Sequence, residues 1–160
     1  MEKEKELIDL LRSRGMTIAS AESLTGGLVA AALVSVPGAS NAFMEGFVTY
    51  DTAAKHRTLG VPEDILEEYG AISSVTAELM ARGAAAHAGT NVAVSTTGNA
   101  GPDPSEGKPV GLVYTAVYVD GFTAVKEHHF SGTRPEIREQ AAREAISLCL
   151  TALKDHLRQE

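Results

Sequence analysis

Leu7, Leu10 and Leu11 share one face of a 3.6-residue repeat across residues 2–14, and Gly15 follows. The pattern predicts an amphipathic helix that stops at the glycine. Residues 16–21, MTIASA, form a short, partly β-branched run and a first strand. ESLTGG then leads into LVAAALVSV, an apolar helix closed by Pro37 and Gly38. Residues 43–50 read as a second strand ending in FVTY. A helical region follows, restarted by Pro62 after Gly60, and Ser74 is the expected N-cap of a long small-residue helix ending at Gly89. The Val/Ala content of residues 91–97 predicts a buried third strand. Residues 98–109, GNAGPDPSEGKP, are the one long Gly- and Pro-rich loop, and such loops in compact domains are usually functional or mobile. Residues 111–119 and 122–131 are strands joined by Asp120-Gly121, a type I′ hairpin signal. Thr133-x-x-Glu136 is a capping box with Pro135 in the first turn, opening a helix that runs to Leu157.

Strands separated by helical crossovers pair in parallel, whereas the hairpin adds an antiparallel neighbour. The expected fold is therefore α/β: a three-layer α/β/α sandwich on a mixed, mostly parallel sheet of about five strands, with a C-terminal β-hairpin plus helix. No repeat or linker interrupts the pattern. A length of 160 residues with 44% hydrophobic and 22% charged residues fits one domain, residues 1–160. The charge balance is 14 − 21 = −7, with no basic block, no tryptophan and 5% aromatics. That balance argues against nucleic acid and anionic membranes as partners. No apolar run reaches membrane-spanning length, and MEKEKELIDLL lacks the apolar stretch of a signal peptide. Cys149, the single cysteine, precludes an internal disulfide and fits a reducing compartment, so a cytoplasmic location is expected.

In open α/β sheets, ligands gather at the carboxyl ends of the strands, and three such segments carry chemistry here. Ser23 lies where the first strand turns toward a helix, with the amides of Thr25, Gly26 and Gly27 positioned to meet a phosphate or an oxyanion. An ordinary N-cap serine reads equally well. Tyr50 and Lys55 would diverge by about 140° on one continuous helix. They line one cleft only if the chain turns between them. A desolvated lysine near a helix N-terminus can act as a neutral base, and a solvated surface lysine is the simpler alternative. Thr96-Thr97-Gly98-Asn99-Ala100-Gly101-Pro102 ends a buried strand, and its hydroxyls and glycines, Thr97, Gly98 and Asn99 among them, can cradle phosphate or ribose. Other motifs fail. Five residues separate Gly101 from Gly107 where a P-loop has four, and Pro109 stands in place of its Ser or Thr. Ser105 and Lys108 spell S-x-x-K among prolines, where no helical turn forms. His128 and His129 point to opposite faces of a strand, and His56, His87 and His156 lack chelating spacing, so no metal site is expected.

AESLTGG, GFVTYDTAAKHRTLGV, TTGNAGPDP, KPVGLVY and FSGTRPEIREQA resemble, in order, the blocks of the CinA C-terminal domain family, over the whole chain. That family includes the bacterial nicotinamide mononucleotide (NMN) amidohydrolases. The resemblance implies a three-layer α/β fold and hydrolysis of the NMN carboxamide to nicotinate mononucleotide and ammonia, with no cofactor. It makes Ser23 the nucleophile of the E-S-x-T-G-G block, and Tyr50 and Lys55 the pair of the Y-x-x-x-x-K block. Thr97 precedes the glycine loop, and Arg134 and Arg138 are the arginines of the closing block. A homodimer and the stand-alone form of the family are also implied. The family's T-G-I-A-G-P carries Asn99 here in place of isoleucine, and Leu24 stands where relatives often have cysteine. Amide hydrolysis by this set would use Ser23 as nucleophile, neutral Lys55 as base and Tyr50 as proton donor or relay. Either arginine could hold the phosphate, or instead pair with Glu136 or Asp51. Two rival classes stay open: a nucleotide-binding module without turnover, and a Ser-His hydrolase using His56 or a strand histidine.

Overall fold

The computed structural model describes residues 2–160. Along the chain run α1 (Glu2–Ser13), β1 (Ile18–Glu22), α2 (Leu28–Val34), a 3-10 turn (Ala39–Asn41), β2 (Phe43–Val48), α3 (Thr52–Leu59) and α4 (Glu63–Tyr69). They are followed by α5 (Ser74–Ala88), β3 (Val92–Gly98), β4 (Leu112–Val119), β5 (Phe122–His129) and α6 (Arg134–Arg158). The strands form one sheet in the order β2-β1-β3-β4-β5. β1 lies parallel to both β2 and β3, while β4 runs antiparallel to β3 and to β5. Four of the five strands thus share a direction, but the hairpin brings two antiparallel pairings rather than the single one expected. The cause is the connection after Gly98, which reverses the chain beside β3 instead of crossing a face of the sheet.

Helices cover both faces. On one side α1, α2 and α6 bury Leu7, Ile8, Leu11, Leu33, Ile146 and Leu153 against Ile18, Val92 and Val94. On the other, Met80 and Ala84 of α5 meet Ala19, Ala21, Phe47 and Ala93, with Leu59 and Leu66 from the shorter helices. The small residues of α5 have a specific cause. A Cβ at Gly83 would stand 2.0 Å from the Leu59 carbonyl oxygen, so only glycine lets the end of α3 rest on α5.

Local signals meet their elements with small shifts. The N-cap of α5 is Ser73, not Ser74: its hydroxyl accepts from the Thr76 amide at 3.1 Å. Thr133 and Glu136 form the reciprocal capping box of α6. Asp120 (φ 42°) and Gly121 (φ 97°) both take the left-handed conformations of a type I′ turn. His128 turns inward to the Thr115 hydroxyl at 2.8 Å, and His129 turns outward to Glu127 at 2.7 Å.

Candidate active site

Ser23 follows β1 directly, at the carboxyl edge of the sheet's three parallel strands. Its amide donates to the carbonyl of Thr96 on the adjacent β3 at 3.1 Å and lies 3.3 Å from the Thr96 hydroxyl. Lys55 enters from α3. β2 ends at Val48, the chain turns through Thr49, Tyr50 and Asp51, and α3 then carries the lysine back beneath that turn. The side chain is fully buried, unlike the solvated lysine of the simpler reading. Its Nζ lies 2.9 Å from Ser23 Oγ, 2.6 Å from the Thr49 carbonyl oxygen and 3.4 Å from that of Tyr50.

These three neighbours decide what Lys55 does when neutral. Carbonyl oxygens only accept, so the two N–H bonds of a neutral amine face Thr49 and Tyr50. The lone pair is left facing the Ser23 hydroxyl. Burial pushes the Lys55 ammonium down from 10.5 to about 8, although the carboxylates of Asp51 and Glu106 oppose the shift. A tenth or so of the lysine is then neutral near pH 7, against well under a thousandth at the ordinary value.

Tyr50 reaches this pair through its backbone alone. Its ring is 62% exposed, and its hydroxyl accepts from Arg134 Nη2 at 3.0 Å. The phenol is hydrogen-bonded to neither Ser23 nor Lys55, so the expected relay from Tyr50 is not formed in this arrangement. Arg134 also donates to the Gly101 carbonyl. Arg138 holds the carbonyls of Leu24 and Thr25 at 2.8 and 3.1 Å. Neither arginine pairs with Glu136 or Asp51.

The amides after Ser23 divide into two groups. Gly26 donates back to the Ser23 carbonyl at 3.1 Å. The first free amides of α2, at Val29 and Ala30, are taken by the buried carboxylate of Glu22 at 2.8 and 3.0 Å. The same carboxylate accepts the Thr25 hydroxyl at 2.6 Å. The Glu22 side chain therefore fills the helix start that the sequence reading offers to a ligand. Among the described residues, the N–H groups of Leu24, Thr25 and Gly27 have no acceptor. These remain for an incoming oxyanion or phosphate, and Arg138 fixes the turn that presents them.

Beyond the turn, expected roles change hands. The Thr97 hydroxyl donates to the Ala71 carbonyl at 2.7 Å, while Thr96, which the sequence reading groups with it without a role of its own, contacts Ser23 and Thr25. Gly98 is demanded by close strand packing, since a Cβ there would sit 2.7 Å from the Leu112 carbonyl oxygen. Asn99 is buried and its amide is fully engaged by its own loop: it accepts from Gly101 N at 2.9 Å and donates to the carbonyls of Asp103 and Lys108. His56 faces a separate hollow of about 650 Å³ beside α3 and α4, held by the Val61 carbonyl at 2.8 Å and Glu63 at 3.1 Å. Among the described residues, no histidine is hydrogen-bonded to Ser23, which leaves the Ser-His reading without a base in this arrangement. Among the described residues, no three His, Cys, Asp or Glu side chains converge to hold a metal.

Comparison with known proteins gives the same outline. The sequence model of the CinA C-terminal domain matches residues 1–153. A CinA-like protein of Kosmotoga olearia is 48% identical over 151 residues, covering 94% of this chain and 37% of that protein. A putative competence-damage inducible protein of Clostridioides difficile is 48% identical over 145 residues, covering 90% and 35%. The chain thus spans little more than a third of these curated relatives. Among solved structures, the competence/damage inducible protein CihA of Agrobacterium tumefaciens superposes with a TM-score of 0.91 at 40% identity, covering 96% of this chain and 94% of that one. A CinA superfamily protein of Klebsiella pneumoniae gives 0.93 at 30% identity, covering 96% and 97%.

Proposed function

The chain belongs to the CinA C-terminal domain family, and from that premise we propose that it is an amidohydrolase cleaving the carboxamide of NMN to nicotinate mononucleotide and ammonia. The observation that carries the reading is a fully buried lysine 2.9 Å from a serine hydroxyl, with its other two directions fixed by carbonyl oxygens. In this scheme neutral Lys55 takes the Ser23 proton as Oγ attacks the carboxamide carbon. Negative charge collects on the former carbonyl oxygen, and the N–H groups of Leu24 and Thr25 are the donors assigned to it. The Lys55 ammonium then returns its proton to the departing nitrogen, which leaves as ammonia. Water, deprotonated by Lys55, hydrolyses the acyl ester on Ser23 and restores the serine. Arg134 and Arg138, each donating to carbonyls beside the site, are assigned with Gly27 to the phosphate. Tyr50 lines the approach.

The test is ammonia release from NMN by purified protein, with the pyridine product followed by chromatography. We expect turnover that survives excess EDTA and vanishes in Ser23→Ala. No release from NMN under any condition would sink the reading, and loss in EDTA reversed by zinc would sink the Ser-Lys chemistry.

A further inference from the structure

The segment between β3 and β4 leaves the carboxyl edge beside Ser23 and is tied down far from its ends. Ser105 and Lys108 exchange backbone hydrogen bonds at 3.2 and 2.8 Å, enclosing a two-residue turn at Glu106 and Gly107. Glu106 has φ 55°, a left-handed conformation that suits Asn or Gly and strains a longer side chain. Its carboxylate explains its presence. It accepts from the successive amides of Ala71 and Ile72 at 2.9 and 3.0 Å, in the connection between α4 and α5. Gly70 makes room, since a Cβ there would lie 2.5 Å from Glu106 Oε1. Lys108 completes the clasp, donating to the carbonyls of Tyr69 and Ile72 beside Glu106. Burial alone would push the Glu106 carboxyl up, but the two amides and Lys108 outweigh it and hold it below the usual carboxylate range.

The inner half of the segment is equally fixed. Asn99 braces it from within, and Arg134 ties the Gly101 carbonyl to the Tyr50 hydroxyl. One tether thus reaches the turn after β2 and the other reaches the α4–α5 connection, whose Ala71 carbonyl also takes the Thr97 hydroxyl. The span between these tethers follows the carboxyl end of β3, the strand whose Thr96 carbonyl accepts from the Ser23 amide.

We propose that residues 99–110 form a fixed wall of the substrate site and that Glu106 and Lys108 are positioning residues that hold it shut. The proposal rests on the amidohydrolase reading for its substrate but not for its wall. Three measurements on Glu106→Gln, Lys108→Met and the double variant test it. First, hydrogen exchange at the Ala71 and Ile72 amides should quicken at least tenfold in Glu106→Gln. Second, acetic anhydride should acylate Lys55 at least fivefold faster in each variant, compared at the high-pH plateau where Lys55 is neutral in all of them and only access differs. Third, at the same high-pH plateau, where the loss of the Glu106 charge no longer alters the neutral fraction of Lys55, KM for NMN should rise about tenfold with kcat within twofold. The double variant should be no worse than the poorer single one, because both residues serve one clasp. Unchanged exchange would show that no clasp exists, and faster exchange with unchanged Lys55 acylation would show that the clasp walls nothing; either overturns the proposal. So does a fall in kcat with KM unchanged. A wild type inactive on NMN would defeat the substrate reading alone, since the first two measurements use no substrate.

Discussion

At the scale of single residues, the proposed chemistry turns on where one lysine lone pair points. Thr49 and Tyr50 supply only carbonyl oxygens to Nζ, so proton acceptance is directed to Ser23. Lys55→Arg tests this directly, because guanidinium keeps the charge and does not give up a proton in this range. We expect kcat to drop by about two orders of magnitude or more, the scale of lost general-base catalysis, with a much smaller change in substrate affinity. Ser23→Ala should be as inactive, and the double variant no worse than either. Near-normal turnover in Lys55→Arg beside loss in His56→Ala would move the base to histidine. Ser23 and Lys55 were legible because their residue types and ordered blocks announce them. Glu22 and Thr96 were not. Nothing local marks a glutamate as the cap of a helix that starts six residues later, or chooses Thr96 over Thr97 when strand alternation sends one hydroxyl to Ser23 and the other to Ala71.

Elements position that lysine through one close contact. α3 carries Lys55, and its last residue rests on α5 at Gly83. Alanine at position 83 would gain about 1 kcal/mol in helix propensity. It would also put a Cβ 2.0 Å from the Leu59 carbonyl oxygen, an overlap that backbone must move to relieve. Overpacking of this kind costs about 1–3 kcal/mol or more, so the clash wins. Gly83→Ala should lower unfolding stability by up to about 2 kcal/mol in urea titration and depress kcat as α3 shifts; a stabilised variant with normal turnover would show that α3 does not depend on this contact. Apolar periodicity, the Asp120-Gly121 turn and the Thr133 capping box made most elements readable, because each is decided within a few residues. The placement of β4 between β3 and β5 was less legible, since it depends on the return path of a 13-residue connection that carries no periodicity.

For the molecule as a whole, assembly and pH dependence are the measurable consequences. The sheet ends in β2, exposing Met44 and Val48, and in β5, exposing Phe122 and Val125 with Lys126 among them. Edges of this kind are usually paired or guarded by charge. His128 on β5 is buried and hydrogen-bonded to Thr115, so it guards no edge. The expected homodimer predicts twice the 16.8 kDa chain mass by light scattering at micromolar concentration, and a monomeric mass rejects it. The buried lysine also ties stability to pH. Its folded value near 8 lies below the 10.5 of an exposed side chain, so between these values the unfolded chain binds a proton that the folded one has shed. Stability from this group therefore rises with pH across that window. Below about pH 8 both states are protonated and the cost of burying the ammonium is fully present. A gap of about 2.5 units corresponds to roughly 3 kcal/mol, at 1.36 kcal/mol per unit. Measured against Lys55→Met, which has no proton to lose, the wild type should gain on the order of 3 kcal/mol between pH 7 and 10.5. The comparison cancels every other titrating group, and parallel curves for the two proteins would mean that Lys55 is not desolvated in solution.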